Sequence, residues 1–79
     1  LAGPMAETDS HWITLGLDPD LDRCAETALR RMIDLIVERR GLSREEAYCL
    51  CSLAADLRVT QTVNGSKGVH CMLEKALLA

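Results

Sequence analysis

The feature that most constrains this chain is the run Arg39-Arg40-Gly41-Leu42-Ser43-Arg44-Glu45-Glu46, where one helix must stop and another start almost at once. Upstream of it, apolar residues recur at Leu21, Ala25, Ala28, Leu29, Met32, Ile33, Ile36 and Val37. That spacing, about 3.6 residues per repeat, is the stripe of a half-buried helix. Asp18 is the expected N-terminal cap, and Pro19 suits the first helical position because its missing N–H costs nothing there. Asp20 and Asp22 put negative charge at the positive end of the helix dipole, and Arg39 and Arg40 put positive charge at the other. Gly41 can take the left-handed conformation that ends a helix. Ser43 and Glu46 then form a capping box, with Leu42 and Ala47 in the hydrophobic-staple positions beside it. The pattern predicts helices over 19–40 and 43–56, the second burying Ala47, Leu50, Cys51 and Ala54. Joined by so short a turn, the two pack antiparallel as a helical hairpin.

The flanks have a different period. Residues 1–10 read as a polar lead-in containing Gly3 and Pro4. His11-Trp12-Ile13-Thr14-Leu15 alternates polar and apolar side chains and predicts a short strand over 11–16, closed by Gly16. Arg58-Val59-Thr60-Gln61-Thr62-Val63 is β-branched and alternating. The turn cluster Asn64-Gly65-Ser66-Lys67-Gly68 separates it from Val69–Leu73, which predicts a β-hairpin over 58–73. The expected fold class is α+β: short strand, helical hairpin, β-hairpin.

At 79 residues the chain is one small unit with a marginal core. That core must be aliphatic, since Phe is absent and Trp12 and Tyr48 are the only aromatic residues. A net charge of −3, with basic and acidic residues interleaved, argues against nucleic acid, whose binders present a basic face. No apolar run approaches the roughly 20 residues that cross a bilayer, so no membrane span is expected. No secretion signal is visible, and a start at Leu1 in place of Met reads as a piece cut from something longer or a start not recorded. Cys24, Cys49, Cys51 and Cys71 could form two disulfides in three connectivities. Three of the four sit among apolar neighbours, however, and read as buried free thiols in a reducing, cytoplasmic setting.

The chemical motifs each weaken on inspection. Cys49 and Cys51 are one residue apart, so on a helix their sulfurs diverge by about 200° and cannot share an ion. Gly65-Ser66-Lys67-Gly68 lacks the glycine spacing of a phosphate loop and precedes a strand where such a loop needs a helix. His11 and His70 both fall on predicted strands and lack a local nucleophile–base set. Asp56-Leu57-Arg58 through Gln61 is the densest polar stretch, read either as a solvated strand face or as the lining of a cleft.

The sequence from Leu42-Ser43-Arg44-Glu45-Glu46-Ala47-Tyr48 through Asp56-Leu57-Arg58-Val59-Thr60-Gln61, Val63-Asn64-Gly65 and Lys67-Gly68-Val69-His70 resembles the C-terminal end of the acetamidase/formamidase family. His11-Trp12-Ile13-Thr14 and Leu17-Asp18-Pro19-Asp20-Leu21-Asp22 are similar to the family's preceding segment. The match runs from about His11 to Leu73, with one departure: Glu74 stands where members often have Pro. The resemblance implies a piece of a larger β-rich amidohydrolase that cleaves short linear amides to ammonia and a carboxylate. It also implies a divalent metal, zinc or calcium, in the full-length enzyme, with no cofactor for this chain alone. The expected partners are the rest of the amidase polypeptide or further copies of the chain, and a small amide substrate in the full enzyme.

Amide hydrolysis needs an activated water or nucleophile, an oxyanion stabiliser and a proton donor. The resemblance transfers no assigned role to any residue here. On chemistry alone the contributors are His70 as acid/base or ligand, Gln61 as an amide-orienting donor and Asp56 as a carboxylate. For metal, His11 and His70 are the candidates. Most of such a site must lie outside this chain, which makes the isolated chain inactive. The alternative is a non-enzymatic truncated domain acting as an oligomerisation or interaction module.

Overall fold

Helix α1 (Leu21–Arg40) ends where the charge and glycine pattern requires, with Gly41 at φ 67° and its N–H on the Val37 carbonyl. The computed structural model describes residues 5–63 and 66–78. Helix α2 (Arg44–Ala54) starts from the complete capping box: the Ser43 hydroxyl accepts from the Glu46 N–H, and the Glu46 carboxylate accepts from the Ser43 N–H. Arg44 reaches Asp34 on α1, and Tyr48 borders grooves with Ile33 and Leu29 further back. Helix α2 therefore runs back along α1.

The remaining elements form one antiparallel sheet in the order β1-β2-β4-β3. Strand β1 is Met5–Glu7, β2 is His11–Asp18, β3 is Asp56–Val63 and β4 is Ser66–Glu74. Trp12 pairs with Leu73, Thr14 with Cys71 and Gly16 with Val69; on the other side of β4, Leu57 pairs with Cys71 and Val59 with Val69. A 3₁₀ turn, Lys75–Leu78, follows β4. The class is α+β, a sheet with a layer of two helices on one face. Among the described residues no helix is long and apolar enough to cross a membrane.

Several expectations need correction. The lead-in contains β1, which pairs Ala6 with Ile13 through a turn tied by the Thr8 hydroxyl. Strand β2 does not close at Gly16 but runs on to Asp18. The first helix starts at Leu21, and Asp20, not Asp18, is its cap, accepting from the Asp22 N–H. Asp18 still belongs to the strand, and its carboxylate accepts from the Asp20 N–H, turning the chain one step earlier. Helix α2 ends at Ala54, because Ala55 is already extended (φ −75°, ψ 144°) and β3 begins at Asp56. Strand β4 extends to Glu74, which pairs with His11. The Asn64-Gly65 part of the turn cluster lies outside the described residues.

The core sits between α1 and the two central strands. Cys24, Ala28, Met32, Leu35 and Ile36 of α1 are buried against Val69, Cys71 and Leu73 of β4. Ala47 and Cys51 close it from α2, and Leu78 of the 3₁₀ turn is buried as well. The residues where helix and sheet come closest are small. A side chain on Gly16 would run into the Cys24 carbonyl, and the buried Thr14 hydroxyl donates to the Ala28 carbonyl at 2.7 Å. The Cys24 thiol lies between the carbonyls of Asp18 and Lys67, joining the ends of β2 and β4 to the start of α1.

Candidate functional site

Side chains alternate across a strand, so burial of Thr14, Val69, Cys71 and Leu73 against α1 turns their neighbours to the opposite face. That open face carries Ile13, Leu15 and Leu17 from β2, His70 and Met72 from β4, and Asp56 and Arg58 from β3. His70 is at its centre, with Arg58 opposite it on β3 and Leu15 opposite it on β2. Asp56 stands two residues from Arg58 and opposite Met72, and the Arg58 Nε donates to its carboxylate at 2.8 Å. Both members of this pair are more than half exposed, so its contribution to stability is below about 1 kcal/mol. Among the described residues the half-buried His70 ring has no hydrogen-bond partner.

The face thus brings together two expected contributors, Asp56 and His70, and adds Arg58, which the sequence showed only as part of a polar stretch. Gln61 lies on β3, but its side chain is outside the described residues. His11 is elsewhere. Its ring Nδ1 is 2.7 Å from the Ser10 hydroxyl in the β1–β2 turn. It pairs with Glu74, four residues along β4 from His70, a separation of roughly 13 Å at a strand rise of ~3.3 Å.

Among the described residues no group of three or more His, Cys, Asp or Glu side chains converges on a point where an ion could be held. These residues alone do not make up the metal site that the family resemblance implies for the full-length enzyme. The four cysteines are free thiols, three buried and Cys49 exposed. Burial pushes Cys51 above the ordinary thiol range. It pushes Cys71 up to about 12, with the nearby Cys51 and Asp56 adding to the rise and the Thr14 hydroxyl opposing it. Such thiols stay protonated and unreactive near neutrality.

The clefts on the helical side include two with contrasting linings. The larger, about 470 Å³, opens between α1 and α2 and is lined by Ile33, Arg44, Glu45, Tyr48 and Cys49. No nucleophile–base pair lines it. The second, about 260 Å³, is basic: the Trp12 ring lies under Arg39 and Lys75, with centroid distances of 4.8 and 4.7 Å, and Arg40 and Leu78 complete the wall. Lys75 is also ion-paired with Glu7. This arrangement ties β1, β2 and the 3₁₀ turn to the end of α1.

No family model and no curated protein matches the sequence. Solved structures do match. An acetamidase from Bacillus halodurans is 36% identical, with a TM-score of 0.86 over 94% of this chain and 25% of its own. An acetamidase from Yersinia enterocolitica is 28% identical, with a TM-score of 0.89 over 95% of this chain and 23% of its own. A predicted acetamidase/formamidase from Thermoanaerobacter tengcongensis, 24% identical, shares the fold with a TM-score of 0.83. The chain spans about a quarter of the length of each of these relatives. Over nearly all its length the chain shares the fold of these acetamidase/formamidase structures, at 36% identity to one of them.

Proposed function

We propose that this chain is the C-terminal part of an amidohydrolase that converts short linear amides of the formamide or acetamide type to ammonia and a carboxylate. The observation that carries this reading is the match at 36% identity to one quarter of an acetamidase. Strand β4 with its neighbours supplies one wall of the site, and the rest of the amidase polypeptide supplies the remainder. On that wall His70 is the group suited to proton transfer, because one imidazole nitrogen can donate a proton while the other accepts one. Arg58 beside it can hold negative charge developing on an amide oxygen, and Asp56 orients Arg58 through the 2.8 Å ion pair. Gln61 is the proposed amide-orienting donor from the same strand.

The isolated chain is inactive on this reading. The Arg58–Asp56 pair is open to solvent, and a charge in water stabilises a transition state far less than one in a closed site. Four free thiols support a reducing, cytoplasmic location. The test is ammonia release from formamide and acetamide by the purified chain, with and without added zinc or calcium. No release above the buffer rate is expected. Steady turnover would show that the chain holds a complete site.

A further inference from the structure

We infer that Leu15 is a specificity-determining residue of the amidase wall: it receives the acyl substituent of the amide, while Arg58, on the other side of His70, receives the oxygen. This role rests on the amidase reading of the open sheet face and adds to it the direction in which a substrate lies. The register of the sheet fixes the geometry. Leu15 of β2, His70 of β4 and Arg58 of β3 are successive partners in one row across the strands. All three belong to the alternate residues that face away from α1, since Thr14, Val69 and Cys71 between them are buried against it. Neighbouring strands lie about 4.8 Å apart, so Leu15 and Arg58 flank the imidazole at similar distances. A small molecule in contact with His70 is within reach of both.

The two flanks differ in chemistry. On the β3 side stand Arg58 and Asp56, whose ion pair through Nε takes one of the five guanidinium N–H donors. On the β2 side Leu15 is half-buried, and the next row adds Ile13 with Met72 opposite it, both half-buried as well. These three side chains are wholly apolar. The boundary between charged and apolar surface therefore runs along β4, through His70.

A short amide has the same two-sided character, with a polar carbonyl at one end and an alkyl group at the other. Its carbonyl carbon must lie beside the proton-transfer group whichever way it is turned. Reversed, it would set the alkyl group against a guanidinium and leave the oxygen, as its negative charge develops, against Leu15 with no donor. Oxygen toward Arg58 is thus favoured at both ends. Leu15, the apolar group directly across from His70, is then what the first carbons of the acyl chain meet. Each CH₂ buried on such a surface tightens binding about fourfold. The substrates this selects are amides whose acyl group is small and apolar, and the size of the residue at position 15 sets the length that fits.

The experiment sets this chain in place of the matching quarter of the Bacillus halodurans acetamidase and measures kcat/KM for acetamide and propionamide. A purely structural loss lowers both values together, so the ratio between them is the readout. Leu15→Ala is expected to raise the propionamide-to-acetamide ratio about tenfold over wild type. Leu15→Val, a milder truncation, is expected to raise it about fourfold, and it decides the question if the alanine variant does not fold. Leu17→Ala, on the same face but opposite Gly68, should leave the ratio unchanged. An unmoved ratio in the Leu15 variants, in a graft whose turnover depends on His70, overturns the role of Leu15 and leaves the amidase reading standing. A folded graft that hydrolyses neither amide removes the amidase reading, and the role of Leu15 with it.

Discussion

Gly16 and Cys24 meet backbone to backbone: a Cβ built on Gly16 would lie 2.1 Å from the Cys24 carbonyl oxygen and 2.9 Å from the Ala28 nitrogen. Neither atom can yield, since both belong to the frame of α1. This contact fixes how closely the helix approaches β2, and through it the position of β4 and the open face behind.

Gly16→Ala should therefore destabilise the chain by about 3 kcal/mol, the upper part of the range for overpacking a rigid site. Urea unfolding followed by circular dichroism measures this. Thr14→Val, one pair along the same seam, removes the hydroxyl and with it the bond to the Ala28 carbonyl, and should cost about 1 kcal/mol. Equal effects at the two positions would contradict a backbone-limited seam at Gly16.

The capping box makes α2 sensitive to acid. Hydrogen bonds from Ser43, backbone first and side chain second, hold the Glu46 carboxyl below its ordinary value of 4.5. A carboxyl with a lowered folded pKa stabilises the fold fully above its unfolded value, and that stability is lost as pH falls through the folded value. Ser43→Ala should cost about 1 kcal/mol near neutral pH. Its helical signal should then show a shallower decline than wild type when the pH is taken below 4.5.

The core thiols set the opposite limit. Cys71 ionises near 9 when unfolded but only at about 12 when folded, so between these values the unfolded chain binds fewer protons. Stability is complete below pH 9 and declines as pH rises toward 12. Cys71→Ala should be less stable at neutral pH, from lost packing, yet show a flatter alkaline decline in urea midpoints. Under native conditions one thiol, Cys49, should react quickly with a thiol reagent, while Cys24, Cys51 and Cys71 react only on unfolding.

What the sequence could reveal was what depends on near neighbours. The stop at Gly41 and the Ser43–Glu46 box are local hydrogen-bond patterns, and both stand in the structure as the residues imply. Strand β1 was not legible, because three residues, Met5-Ala6-Glu7, are too few to show alternation, and the strand exists only by pairing with β2. Gly16 reads in the sequence as the close of a strand, because its role is set by Cys24 and Ala28 on the helix that follows β2. The same limit applies to the site. Asp56 and Arg58 were visible as a polar stretch, but their place beside His70 depends on the register of β3 on β4. His11 looked equivalent to His70 until the register of β2 on β4 set the two apart.

The most direct measurement of the amidase assignment is a graft. The quarter of the Bacillus halodurans acetamidase that this chain matches is replaced by the chain itself, and ammonia release from formamide and acetamide is followed. A soluble graft that hydrolyses amide, and that loses at least a hundredfold in rate with His70→Ala, is the expected result, since one acid–base group typically contributes that much. A graft that folds as its parent does but releases no ammonia would contradict the assignment, and full activity in His70→Ala would remove His70 from the chemistry.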